Sequence, residues 1–445
     1  MDNNPQNQGQ NSPKSHITLA VIGHVDSGKS TTTAHLLCQL GVVDKKLIDT
    51  ARAQAADRGD TSLQYAFILD KLESERDRGI TINNSYSSFG STSHHFTIID
   101  VPGHRDRLKN MITGASQADV AILIISAVSN EFKAGFSQYG QTRDHALLAF
   151  SLGVKQLIIC INKMDHLSVK WSEAIFIEIK QEIIPYLKKV GYDTAKIPFI
   201  PISGLSGENL IKESTNELMT SWYQGPCLLR VLGNLVAPQR PIGMPLRIPI
   251  HNIYKISGYG TVLAGTVRTG VLKPYVTVVF SPSRVCVESK IIQKHGKEIP
   301  EAVPGDVVGL HIKGMGVKDF KRGDVCGEAK RDPPKECEEF IAQIVVLDHP
   351  TVIKKGYTPI IDCHAAHVAC RFEEILTKMT KQGKVIEEKP ESLKTGDVGM
   401  VKMVPLKPLC VEVYKEYPPL GRFIVRDMKR IVAVGVIKSV VKKMK

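Results

Sequence analysis

Between His16 and Val236, short apolar runs rich in Ile and Val alternate with longer stretches of helical periodicity. A strand buried on both sides reads as an unbroken apolar run, so this rhythm predicts a mainly parallel sheet with helices on both faces. The strands expected are Ile17–Ile22, Phe96–Ile99, Val120–Ile125, Leu157–Ile161 and Phe199–Ile202. All but the third run directly into a polar motif. In open sheets of this kind ligands lie beyond the carboxyl ends of the strands, so those motifs are expected to meet along one edge. His94 and His95 stand where a hairpin or strand should start and are read as structural.

After Val236 the pattern changes. Pro238–Pro245 interrupts the chain, and Asp332-Pro333-Pro334 marks a second break. Between and beyond them, segments such as Gly258–Gly270 and Val425–Val441 show short β-type runs separated by turns, as small antiparallel barrels do. The expected organisation is a polar tail over 1–15, an α/β domain with a parallel-type sheet and helices on both faces over 16–236, and two antiparallel β-barrels over 237–332 and 333–445. The tail, MDNNPQNQGQNSPKS, lacks the charged and then apolar segments of a secretory signal, and is expected to be disordered.

Composition narrows the class. A chain of 445 residues exceeds what one core supports. Its 42% hydrophobic and 23% charged content is ordinary for a soluble globular protein, and no apolar run approaches the roughly 18 residues of a membrane span. The nine cysteines form no CxxC pair, which points to reduced thiols and a cytoplasmic location. A net charge of +13 suits a polyanionic partner, although a solvated basic surface would give the same balance.

The chemistry lies in the strand-end motifs. GHVDSGKS, Gly23 to Ser30, follows a strand and precedes the helix-like TTTAHLLCQL, the context expected of a phosphate-binding loop. Its glycines, Gly23 and Gly28, let backbone amides face phosphate oxygens. Lys29 is placed to neutralise the β- and γ-phosphates and Ser30 to ligate Mg²⁺. Three DxxG matches occur, at Asp100, Asp306 and Asp324, but only DVPG at Asp100–Gly103 ends a strand downstream of such a loop. There Asp100 can hold a metal-bound water and the Gly103 amide can sense the γ-phosphate.

NKMD, Asn162 to Asp165, closes the fourth strand. A carboxylate at Asp165 accepts from guanine's ring N–H and exocyclic amine together, which adenine cannot offer. SGL at Ser203–Leu205 ends the next strand; its amides could support the guanine carbonyl, and the same tripeptide would serve as a plain turn. ERDRGITI, Glu75 to Ile82, sits where a mobile switch belongs, with Thr81 as a second hydroxyl for Mg²⁺. His104 follows Gly103 and is placed to orient the water that attacks the γ-phosphate.

With these motifs in place, the chain resembles the translational GTPases, most closely the elongation factor one-alpha of eukaryotic and archaeal type. The resemblance rests also on LESERDRGITI, DVPGHRDRLKNMITGASQADVAILII, GQTRDHALLAFSLGVKQLI, YTPIIDCHAAHVAC and YPPLGRFIVRDM. It implies GTP-dependent delivery of aminoacyl-tRNA to the ribosome, GTP/GDP and Mg²⁺ as ligands, a guanine nucleotide exchange factor as partner, and a monomer. It further implies guanine-nucleotide contacts over Asp26, Ser27, Gly28, Lys29, Ser30 and Thr31, with Asn162, Lys163, Asp165 and Ser203, Gly204 and Leu205. His104 resembles the water-positioning histidine, and Val25 and Ile80 the apolar gate beside it. A release-factor or ribosome-rescue GTPase, and a non-catalytic RNA- or cytoskeleton-binding protein on the same scaffold, are the rival readings. Departures from the family pattern are Ala34 for Gly, Arg107 for Phe, and Thr266 and Arg268 where Arg and Glu are usual, the last two on the surface that the resemblance assigns to the tRNA end. The lysine-rich tail is short, ending VVKKMK.

Overall fold

The computed structural model describes residues 15–57, 64–69, 84–137, 140–256, 260–294, 296–380, 383–428 and 430–443. Its first unit is built on a sheet of six strands, β1 (Ser15–Gly23), β2 (Ser85–Gly90), β3 (His94–Asp100), β4 (Val120–Ser126), β5 (Gln156–Asn162) and β6 (Phe199–Pro201), in the order β2-β3-β1-β4-β5-β6. From β3 to β6 every pairing is parallel; β2 runs antiparallel to β3 at the edge.

Alternate residues of each strand feed opposite cores. Ala20, Ile22, Leu123, Ile125, Ile159 and Ile161 pack against the helices Leu108–Ala115, Gln141–Ser151 and Glu173–Val190. Leu19, Val21, Ile122, Ile124, Ile158 and Cys160 face the other way, onto the helices Lys29–Gln39 and Lys45–Asp57. Burial on both faces is why the central strands read as unbroken apolar runs. In β2, SYSSFG, only Phe89 is buried, so that edge strand carries no apolar signature. His94 and His95 open β3, and His94 Nδ1 lies 2.6 Å from the Ser15 hydroxyl across the ladder.

The two following units are antiparallel. Eight strands between Ile248 and Glu328 wrap around one core containing Leu263, Phe280, Ile292 and Leu310. Among the described residues its end strands, Val285–Ser289 and Lys297–Glu298, are not joined to each other, so this barrel is an open, curled sheet. The third unit closes fully: Ile360–Cys363 pairs with both Arg422–Asp427 and Ala366–Met379, completing a ring with Cys337–Val346, Val398–Pro405 and Arg430–Lys442. All nine cysteines are free and only Cys286 is exposed.

The third unit is seated on both others. Ile424 and Ile431 join the core of the first unit, and His367 Nε2 lies 3.3 Å from the Thr113 hydroxyl. Toward the second unit, Arg247 is 1% exposed; it donates to Glu412 at 3.0 Å and to Asp332 at 2.7 Å, and stacks over the Tyr417 ring. Lys442 binds the other Glu412 oxygen at 2.6 Å, and Lys443 reaches Glu336 at 2.5 Å, so these two terminal lysines serve packing. Glu412→Ala strips Arg247 of its buried partner. It is expected to cost about 1–3 kcal/mol, because the Arg247 Nε–H loses its acceptor and Asp332 alone remains to balance the guanidinium, and urea unfolding of the purified variant should show it.

Candidate nucleotide site

The sheet register brings the motifs together. Val21 lies opposite Asp100, Gly23 opposite Ile124, Ser126 opposite Asn162, and Ile161 opposite Pro201, so the carboxyl ends of β1, β3, β4, β5 and β6 form one rim. At Gly23 the backbone passes so close to β4 that a Cβ would fall 2.3 Å from the Ile124 carbonyl oxygen. Asp26 and Gly28 then take left-handed conformations, φ 59° and 88°, and the helix Lys29–Gln39 begins. Gly28 caps it without a side chain, leaving the first amides to an external anion.

Lys29 is 6% exposed, and its Nζ donates to the His24 carbonyl at 2.6 Å. A Cβ on Gly103 would come 2.4 Å from that Nζ, so the ammonium fills the gap between the loop and the DVPG turn. Burial pushes it down to about 8, while the Asp100 and Asp26 carboxylates work to raise it. The Ser30 hydroxyl donates to Asp100 Oδ2 at 2.6 Å, and Asp100 is 1% exposed.

Asn162 links the two halves of the rim. Its Nδ2 donates to the Ser27 carbonyl at 2.8 Å and its Oδ1 accepts the Gly204 amide at 2.7 Å. Lys163, at φ 63°, places its ammonium between the Glu131 oxygens at 2.7 and 2.8 Å. Asp165 and Leu205 are exposed, Ser203 is buried, and Thr31 is half-buried in the first helix. Val25 is half-buried, with its amide 3.4 Å from Gln141 Oε1. His104 is partly exposed; its Nδ1 accepts the Asp106 amide at 3.2 Å. Ile80 and Thr81, with the whole Glu75–Ile82 segment, lie outside the described residues.

Several supports are absent from the motifs. The third strand, β4, ends in no motif, but it leads to the helix Ser129–Phe136 that carries Glu131, and the Ala127 amide donates to the Asn162 carbonyl at 2.8 Å. His145, buried on the helix Gln141–Ser151, accepts the Gly23 amide on Nδ1 at 3.0 Å. Burial pushes that imidazole down to about 3, with Lys29 and His24 adding to the effect, so it stays neutral and keeps its acceptor lone pair. Glu131, Gln141 and His145 sit at no fixed spacing from the loop. Only the fold brings them to it.

Two departures from the family pattern find their places here. Ala34 is fully buried within the first helix, where Ala favours helix over Gly by about 1 kcal/mol. Arg107 is the N-cap of the helix Leu108–Ala115, a cation at the positive end of the helix dipole, at a cost of about 0.3–1 kcal/mol.

Comparison with known proteins decides the family. Residues 14–238 match the family described as Elongation factor Tu GTP binding domain, residues 260–327 Elongation factor Tu domain 2, and residues 339–438 the GTP-eEF1A C-terminal domain-like family. Elongation factor 1-alpha of Tetrahymena pyriformis is 55% identical over 431 residues, covering 97% of this chain and 98% of that one. The chain belongs to the elongation factor 1-alpha family. Its counterpart from Entamoeba histolytica is 52% identical over 429 residues, 96% of each chain. The solved GTPase-like domain of Saccharomyces cerevisiae Ski7, bound to GTP, shares the fold at a TM-score of 0.76 and 18% identity, over 95% of this chain and 97% of that one. Membership in the elongation factor 1-alpha family makes this chain a translation elongation factor: a GTPase that binds guanine nucleotide and works with aminoacyl-tRNA and the ribosome. Among the described residues no helix is long and apolar enough to cross a membrane.

Proposed function

We propose that the rim of the first sheet is the GTP site, that its occupancy by GTP licenses carriage of aminoacyl-tRNA to the ribosomal A site, and that hydrolysis to GDP ends the carriage. The observation that carries this reading is Asn162, which holds the phosphate loop at Ser27 and the base-side turn at Gly204 with one side chain. Amides from Asp26 to Thr31 and the Lys29 ammonium hold the phosphates; Lys163, Asp165 and the Ser203–Leu205 turn hold guanine.

The donor set fits Mg²⁺, since the Ser30 hydroxyl and Asp100 carboxylate are hard oxygens that meet at 2.6 Å. Ser30 and Thr81 would ligate it and Asp100 would act through water; bound there, the ion would supply charge neutralisation for the phosphates. His104 orients the attacking water, behind a gate of Val25 and Ile80. An exchange factor that reopens the site, a monomeric working form and a cytoplasmic location complete the proposal.

Asn162→Ala tests the site. Losing both bonds is expected to weaken GDP binding by about 10–100-fold, read by calorimetry, with circular dichroism unchanged. Unaltered GDP affinity would sink the reading of Asn162 as the link.

A further inference from the structure

Among the described residues, two arginines of the second unit grip the first with unequal strength, beside a stack of His251 on Tyr86. The stronger is a paired one: Arg240 Nη1 and Nη2 reach Asp119 Oδ1 and Oδ2 at 3.0 and 2.8 Å, and Nη2 also donates to the His16 carbonyl at 2.7 Å. Asp119 immediately precedes β4 and accepts the Thr18 amide of β1 at 2.9 Å, so this contact is fixed to the centre of the sheet. The weaker contact is Arg268, which donates through Nη2 to the Ser116 carbonyl. Beside it, the Thr266 hydroxyl donates to Gln117 Oε1 at 3.2 Å, and Gln117 in turn donates to the Tyr86 hydroxyl at 3.0 Å. The two departures Thr266 and Arg268 therefore face the first unit.

Ser116 is the C-cap of the helix Leu108–Ala115, whose first residue follows His104 by a single 3₁₀ turn. That helix has no basic residue in its last turn. Its final carbonyls carry the negative end of the helix dipole and want a cation. Arg268 brings one from another unit. Burial pushes its guanidinium down to about 10, against the opposing pull of Asp119 and with the help of Arg240. Since Arg240 already occupies both Asp119 oxygens, the helix end is the acceptor that holds Arg268 in place.

We propose that Arg268 is a positioning residue through which the second unit reads the nucleotide state of the first: it grips the end of the helix that follows Gly103, while the Arg240–Asp119 pair stays fixed as the pivot. The proposal rests on the nucleotide reading above. Gly103 and Lys29 are where a γ-phosphate is gained or lost, and a displacement there is carried along the helix to Ser116. One bond to a neutral carbonyl yields before a bidentate charge-assisted pair does.

Amide hydrogen exchange on the full chain, loaded with a non-hydrolysable GTP analogue or with GDP, tests this. In the unsubstituted chain, exchange across 260–270 is expected to differ between the two nucleotides by at least about fivefold. The pivot region 236–247 should not differ. Arg268→Ala should abolish the difference while GDP affinity stays within about twofold, and Arg268→Lys should restore part of it. Arg268→Gln keeps donors without charge and stands in should the alanine variant fail to fold. A nucleotide-dependent difference that persists in both uncharged variants, or is absent from the unsubstituted chain, would overturn the proposal. Failure of the unsubstituted chain to bind either nucleotide would overturn the nucleotide reading itself, and the proposal with it.

Discussion

His104→Ala is expected to slow ribosome-stimulated GTP hydrolysis by about 10²–10⁴-fold while GTP and GDP affinities stay within about twofold. The side chain follows Gly103, which lies against the Lys29 ammonium, so it stands at the phosphate end of the rim. Its ring contacts its own turn, accepting the Asp106 amide at 3.2 Å with the Asp106 carboxylate 3.6 Å away, and is 43% exposed. Truncation therefore leaves no deeply buried partner behind, and stability should hold. On the proposed reading a ring held so lightly is redirected when the ribosome docks, and hydrolysis slow in isolation and fast on the ribosome is the expected result. Single-turnover phosphate release with programmed ribosomes measures the effect. A rate within a few-fold of the unsubstituted chain would remove His104 from the water-positioning role.

Asp165→Asn is expected to weaken GTP binding by about 10²–10⁴-fold and to transfer the preference to xanthine nucleotides. The substitution is nearly isosteric, and the turn that carries it is held by backbone bonds: Met164 N–H to Ile202 at 3.3 Å, and Trp171 N–H to Met164 at 2.7 Å. Those bonds survive. Only the hydrogen-bonding edge changes, from two acceptors to one acceptor and one donor, which suits the extra carbonyl of xanthine. Competition of GTP and XTP for the purified variant reads the switch directly, and retention of guanine preference would mean that the base lies elsewhere.

The central strands were legible because burial on both faces leaves a mark that period and composition can detect: all five expected runs lie within or across strands of the sheet. The edge strand Ser85–Gly90 was not, since a strand with a single buried residue, Phe89, has no apolar run to show. In the candidate site, the residues assigned to the nucleotide sit in motifs at strand ends, whereas their supports do not. Glu131 beneath Lys163, His145 beneath Gly23 and Gln141 beside Val25 come from helices whose distance along the chain from the loop is arbitrary. The same holds between units. Thr266 and Arg268 stood out in the sequence only as departures on a surface meant for tRNA, and their contacts with Gln117 and Ser116 require the fold. A basic balance of +13 pointed to a polyanion without saying which of the lysines are free to meet it, and Lys442 and Lys443 turn out to be engaged by Glu412 and Glu336.

Nucleotide-dependent carriage is the property on which delivery of aminoacyl-tRNA depends. Equilibrium binding of charged and of uncharged tRNA should be measured with the full chain, loaded in turn with a GTP analogue and with GDP. Tight binding confined to charged tRNA and the GTP analogue is the predicted result; equal binding in both nucleotide states, or to charged and uncharged tRNA alike, would contradict it.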